Sequence, residues 1–316
     1  MRALRAHGST VADLRYERTP SPNWEPGWLL VRVHAVGVDS DELAWPSTWA
    51  THDGRSRSPS TPGRDVAGVV VQADPDSPFR VGENVFGIVD WWRDGAAADL
   101  VLVRPDHVVR VPEGMSCAEA AAMPTAAMVA LRTIDRLGDA TGRRRLLVDG
   151  RPDAVALLAI QLARRHGVDV IGTAVGSDAE YLAFFGADDV IDDSRARVLD
   201  AARNADLILS TRGMKHASWL SDAAQRPVAT PSPPSMAPSQ ALLGRLASIV
   251  EAEHLRSPVA FALPLALARD AYEWTDRNAT RLRGRAVLEP IGDINAYEID
   301  PILELVAESE RHDGLT

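Results

Sequence analysis

Three positions decide what the segment Leu146–Gly167 (LLVDGRPDAVALLAIQLARRHG) can do. An apolar strand, Leu146–Val148, runs into a turn. A helix follows with Val155, Leu158, Ile160, Leu162 and Ala163 on an apolar stripe, and then a second strand, Val168–Gly172. Strand, turn, helix and strand in this order hold a diphosphate when the turn reads G-x-G-x-x-G. Bare backbone N–H groups then close on the anion at the helix N-terminus. Gly150 opens the turn here, but the three glycine positions fall on Arg151, Asp153 and Ala156. A Cβ at the second position blocks close approach, and the Asp153 carboxylate faces the phosphates. Two anions about 4 Å apart repel by about 1 to 4 kcal/mol, depending on exposure. The turn therefore predicts a dinucleotide site that survives only as a vestige.

The bulk properties narrow the class. A chain of 316 residues with 46% hydrophobic residues is long enough for two packed domains. A net charge of −10 argues against nucleic acid and against an anionic membrane surface as partners. No apolar run reaches membrane-spanning length and no secretory signal opens the sequence, so a reducing cytoplasm is the expected compartment. Cys117 is the only cysteine, which leaves no disulfide framework and no thiolate zinc cluster. No His-rich metal spacing occurs either, so no metal is expected.

The first third reads as β-rich. Trp28–Val38, Val66–Ala73, Asn84–Val89 and Ala98–Val103 alternate or run apolar between Gly, Pro and Asp clusters, as in a partly open barrel. Ser116–Leu137 is an alanine-rich helical stretch that Pro124 kinks or breaks. From Leu146 to about Val228 strands and helices alternate, the signature of a parallel α/β sheet. Thr230–Ser239 is a Pro/Ser-rich loop, and Gln240–Glu253 a helix. Val259–Leu263, Leu265–Arg277 and Arg285–Glu289 return to the first domain. The tail Asn295–Arg311 spaces Ile299, Ile302, Leu303 and Val306 helically. The expected division is 1–120, 121–255, 256–294 and a helical extension 295–316.

Five motifs in order resemble the medium-chain dehydrogenase/reductase superfamily, in its zinc-free quinone-oxidoreductase-like branch, over roughly residues 1 to 290. Pro62–Gly68 is similar to P-G-x-D-x-A-G, and Val81–Gly87 to V-G-D-x-V-x-G. Gly95–Asp99 is similar to G-A-x-A-E, Glu119–Pro124 to the helix entering the nucleotide domain, and Phe185–Asp192 to L-G-A-D-x-V-I-D. The resemblance implies a GroES-like, partly open β-barrel domain joined to a Rossmann-like, doubly wound parallel sheet. It also exposes departures. Zinc-dependent relatives carry cysteine where this chain has Asp39 and histidine where it has Arg64. Zinc-free relatives usually have asparagine at the Asp39 position, near the nicotinamide. Relatives that prefer NADPH often place a lysine near Asp178, where this chain is acidic. Shortening around Pro227–Leu242 removes a strand often used in dimers, so a monomer or a homodimer through another interface is expected.

The resemblance places Asp39 at the floor of an interdomain cleft, as a general acid or base or as an Asp bracing its own turn. Asp90 and His52 are further proton-transfer candidates on neighbouring loops. Trp45, Trp49, Trp91 and Trp92 are expected to wall the cleft for a flat or polyunsaturated ligand, with Arg93 and Thr125 at its edge. The leading expectation is a cofactor-independent enzyme that cyclises, isomerises, rearranges or eliminates a bulky apolar carbonyl or polyene natural product. Its vestigial cofactor residues would be Gly150, Arg151, Asp153, Ala156 and Asp178. Two alternatives stand beside it: an NADPH- or NADH-dependent enone or quinone reductase, and a non-catalytic binding protein.

Overall fold

The computed structural model describes residues 1–138, 144–232, 237–253, 255–277 and 282–290. The chain opens with β1 (Arg2–Ala6) antiparallel to β2 (Leu14–Arg18). The barrel strands follow: β3 (Leu29–Gly37), β4 (Asp65–Gln72), β5 (Asn84–Ile88), β6 (Leu100–Val103) and β7 (Val108–Arg110). A short helix α1 (Pro46–Trp49) lies between β3 and β4. The expected Ser116–Leu137 helix is two helices, α2 (Cys117–Ala121) and α3 (Pro124–Leu137). Pro124 occupies the first turn of α3, where its missing N–H costs nothing. Ser116 and Glu119 close a reciprocal cap at the start of α2, Glu119 N–H to Ser116 Oγ at 3.2 Å and Ser116 N–H to Glu119 Oε2 at 2.9 Å.

The second domain alternates β8 (Arg145–Asp149), α4 (Ala154–Arg165), β9 (Asp169–Ala174), α5 (Asp178–Phe185), β10 (Asp189–Asp192), α6 (Arg195–Arg203), β11 (Leu207–Ser210), α7 (Met214–Ala224) and β12 (Val228–Ala229). The strands are all parallel, in the order β10-β9-β8-β11-β12. The order reverses between β8 and β11, the place where ligands bind at the carboxyl ends of such sheets. After α8 (Gln240–Glu253), the chain returns through β13 (Val259–Pro264), α9 (Ala268–Arg277) and β14 (Arg285–Glu289). β14 pairs antiparallel with β3 and parallel with β13, completing a sheet ordered β13-β14-β3-β4-β5-β7 with β6 on β3.

One core joins the two halves. Met128, Leu131 and Ile134 of α3 pack with Leu157, Leu158 and Ile160 of α4 and with Phe86 and Ile88 of the barrel. The barrel has its own core around Leu29, Val31, Val33 and Val70. The joint between the halves is also hydrogen-bonded. Gly284 donates its N–H to the Pro152 carbonyl at 2.8 Å, and residues 153 and 284 form an isolated parallel bridge. Gly284 has φ +94°, and a Cβ there would lie 2.2 Å from the Pro258 carbonyl oxygen, so only glycine fits. The sequence signal of the tail Asn295–Arg311 lies outside the described residues, as does part of the Thr230–Ser239 loop.

Candidate functional site

A cleft of about 430 Å³ opens at the joint. Val38 and Asp39 reach it from the end of β3, and Asp41 and Trp45 from the following loop. Thr125 and Val129 come from α3, Asp153 and Val155 from the start of α4, Thr211 and Met214 from the β11–α7 turn, and Arg285 from β14.

Its floor is an arginine–carboxylate cluster. Arg285 Nη1 donates to Asp65 Oδ2 at 2.7 Å and to Thr125 Oγ1 at 2.6 Å, and Nε donates to the Val38 carbonyl at 3.2 Å. Thr125 sends both its N–H (3.1 Å) and its O–H (2.8 Å) to the Asp65 carboxylate. Burial pushes Asp65 up to about 6, opposed by Arg285 and by the two Thr125 bonds. Burial by itself would lower Arg285, but Asp65, Asp39 and Glu42 together raise it. Asp39 is half-exposed, and its Oδ2 is 3.9 Å from Arg285 Nη2.

A second buried network stands behind the floor. Glu42 accepts from Gly63 N–H at 2.7 Å and from the Tyr272 hydroxyl. Burial pushes Glu42 up to about 7, against the pull of Arg64 and of those two donors. Arg64 is buried and donates through Nη1 to the carbonyls of Asp90 (2.9 Å) and Arg93 (2.8 Å). It thereby pins the loop that carries Trp91 and Trp92.

The sequence candidates divide sharply. Asp39, Trp45, Thr125 and Asp153 line the cleft. Trp91 does not line the cleft but packs on Trp45, with ring centroids 5.0 Å apart, so one indole rather than four faces the cavity. Trp49 turns into the barrel core and donates Nε1–H to the Leu43 carbonyl at 2.8 Å. Trp92 is exposed and meets His52 edge-on with ring centroids 5.7 Å apart, and neither lines the cleft. Asp90 is spent on its own turn, accepting from Trp92 N–H at 2.8 Å. Arg93 is paired with Glu25 and lies over the Trp28 ring at 4.4 Å, away from the cleft.

The α4 turn is occupied by its own side chains. Asp153 is the N-cap: Oδ1 accepts from Ala156 N–H at 2.9 Å, with further bonds from Val155 N–H and the Thr211 side chain. Burial raises its pKa despite those bonds. Thr211 also sits over Gly150, where a Cβ would lie 2.0 Å from its Oγ1. Arg151 is exposed at the tip of the turn. Asp178 does not stand as a bare negative charge. Arg283 Nε pairs with it at 2.8 Å, while Arg283 Nη2 donates to Ser177 Oγ at 2.6 Å.

Sequence reasoning missed Asp65, Arg283 and Arg285. Asp65 stood inside the motif Pro62–Gly68, where a buried acid in a strand calls for a cation partner. No local signal linked it to an arginine 220 positions away in sequence.

Comparison with known proteins places this geometry. The model of the alcohol dehydrogenase GroES-like domain matches residues 25–113. A probable zinc-binding oxidoreductase, mitochondrial, of Arthroderma benhamiae is 31% identical over 221 residues, 66% of this chain and 66% of that one. The human protein named NAD(P)H oxidoreductase RTN4IP1, mitochondrial, is 29% identical over 62% of this chain and 55% of its own length. Mouse quinone oxidoreductase is 31% identical over 54% of this chain and 51% of its own length. The chain thus spans about half to two thirds of the curated relatives it matches. Among solved structures, the quinone oxidoreductase from Coxiella burnetii superposes with a TM-score of 0.77 over 92% of this chain and 99% of that chain, at 21% identity. A mycobacterial protein complexed with NADPH superposes with a TM-score of 0.76 over 92% of this chain and 100% of that chain, at 20% identity.

These relatives overturn the expectation of a cofactor-free cyclase, isomerase or lyase, because their names are those of NAD(P)H and quinone oxidoreductases. Mitochondrial and chloroplastic names among them lend nothing to the expected cytoplasmic setting. No helix among the described residues is long and apolar enough to cross a membrane. Nor do the described residues contain a group of three or more His, Cys, Asp or Glu able to hold a metal ion. As the side chains stand, the start of α4 does not fit a diphosphate in the manner of a glycine turn, since Asp153 already holds the amides that would receive it. The barrel, the parallel sheet, the five ordered motifs and the relatives agree, and the chain belongs to the medium-chain dehydrogenase/reductase superfamily, in its quinone-oxidoreductase-like branch.

Proposed function

We propose that this chain is an NAD(P)H-dependent reductase of a quinone or of an enone. The observation that carries the reading is its likeness to relatives named as NAD(P)H and quinone oxidoreductases. The cleft supports it, because a space of about 430 Å³ between barrel and parallel sheet suits a planar carbonyl compound. Trp45 offers the flat apolar face, and Val38, Val129 and Leu282 help to exclude water. Arg285 fixes the floor through its bonds to Asp65, Thr125 and Val38. We assign proton transfer to Asp39, partly exposed beside it. The α4 turn is the part that must yield for coenzyme to bind.

The test is coenzyme oxidation, followed by the loss of reduced-nicotinamide absorbance with NADH and with NADPH. 1,4-Naphthoquinone and 2-cyclohexenone serve as acceptors. Acceptor-dependent oxidation supports the reading. Absence of oxidation with both coenzymes and both acceptors, together with no change in tryptophan fluorescence up to millimolar coenzyme, rejects it.

A further inference from the structure

Arg285 spends most of its guanidinium on the cleft floor and has one nitrogen left over. Nη1 is held by Asp65 and Thr125, and Nε by the Val38 carbonyl. Nη2 is buried, has no hydrogen-bond partner, and stands 3.9 Å from the Asp39 carboxylate, and both residues line the cleft. A buried donor left unmatched is costly, and an acceptor arriving in the cleft recovers that cost. We infer that Arg285 Nη2 is the donor that receives the substrate's carbonyl oxygen, and that the carboxylates around it make the cleft reject a ligand carboxylate. This rests on the reductase reading above.

Charge decides the second half of the inference. The positive charge of Arg285 is already matched by Asp65, while Asp39, Asp41 and Asp153 add negative charge to the cleft wall. A ligand carboxylate beside Asp39 meets like charge; a neutral carbonyl oxygen does not. Trp45, backed by Trp91, supplies a flat face for the ring. The guanidinium itself is held in place before the ligand arrives, by Asp65, Thr125 and the Val38 carbonyl.

The experiment uses the full chain without coenzyme. Carbonyl-labelled 1,4-naphthoquinone is read by infrared difference spectroscopy, and 2-naphthoate is titrated beside it. In the wild type the carbonyl stretch of the bound quinone should fall to lower wavenumber than in water-free solvent. Arg285→Lys keeps the charge for Asp65 but removes Nη2, and should lose the shift while still binding quinone. Naphthoate should bind at least about tenfold more weakly than quinone, and Asp39→Asn should narrow that gap. An unshifted carbonyl in the wild type, or a shift retained in Arg285→Lys, overturns the donor assignment. Naphthoate binding as tightly as quinone overturns the charge argument. If Arg285→Lys does not fold, the wild-type shift and the Asp39→Asn titration still decide. Coenzyme oxidation is measured separately, so a failure here is distinguishable from failure of the reductase reading.

Discussion

Replacing Asp153 by glycine should convert a poor diphosphate site into an ordinary one. In the wild type the carboxylate takes the Ala156 amide at 2.9 Å, where a phosphate oxygen would otherwise bond. A diphosphate brought to the same helix end would stand about 4 Å from that carboxylate, an opposition of about 1 kcal/mol in water and about 4 kcal/mol at an effective dielectric constant near 20. At about 1.4 kcal/mol per factor of ten, the substitution should tighten NADPH binding by roughly 5-fold to 1,000-fold. The fold should tolerate it. An Asp cap exchanged for glycine costs only a few tenths of a kcal/mol, and the change also removes a buried carboxylate whose pKa burial has raised. The assay is calorimetric titration of NADPH into both proteins across the acid range. Protonation of Asp153 removes its charge, so wild-type affinity should rise as pH falls, and the Asp153→Gly variant should lack that part of the slope. Equal affinities with parallel pH profiles would refute the claim that Asp153 guards the helix end.

Three further outcomes follow from the same geometry. Trp45→Ala removes the face of the cleft and should weaken naphthoquinone binding by about 1–2 kcal/mol, roughly 5- to 30-fold, as judged by titration; an unchanged affinity would place the ring elsewhere. Arg283→Ala strips the cation from Asp178. It should lower the preference for NADPH over NADH by about fivefold, the effect of one unscreened carboxylate at about 4 Å in water, and a ratio of dissociation constants that does not move would exclude Asp178 from coenzyme choice. Glu42→Gln should flatten the dependence of stability on pH. The folded-state value of about 7 lies above the ordinary 4.5. Its contribution is therefore complete below about pH 4.5 and lost as pH rises through about 7, on the order of 3 kcal/mol. Thermal midpoints of wild type and variant that run parallel from about pH 4.5 to 8 would contradict this.

The fold was readable because its signals are local and periodic. Alternation marks β3 and β4 to within a residue or two, and Pro124 marks the break that separates α2 from α3. The site was only half readable. Asp39 could be placed because it ends a strand, and Asp153 because it opens a helix. The tryptophans could not be sorted, since a loop sequence does not say which of Trp45, Trp49, Trp91 and Trp92 turns inward. Hydrogen bonds decided it: Leu43 captures Trp49, and Arg64 captures the loop of Trp91 and Trp92. The floor was invisible because Asp65, Thr125 and Arg285 come from three distant elements that meet only after the barrel closes. Asp178 looked repulsive for the same reason, its neutralising arginine lying 105 residues downstream.

The hydrogen bond from Gly284 to Pro152 makes the two ends of the cleft mechanically one. Pro152 and Asp153 belong to the turn that must yield to phosphate; Gly284 is the residue immediately before Arg285. Displacing the turn should therefore pull on the strand bearing the guanidinium. Coenzyme at one end and a carbonyl compound at the other should then change each other's affinity by the same factor.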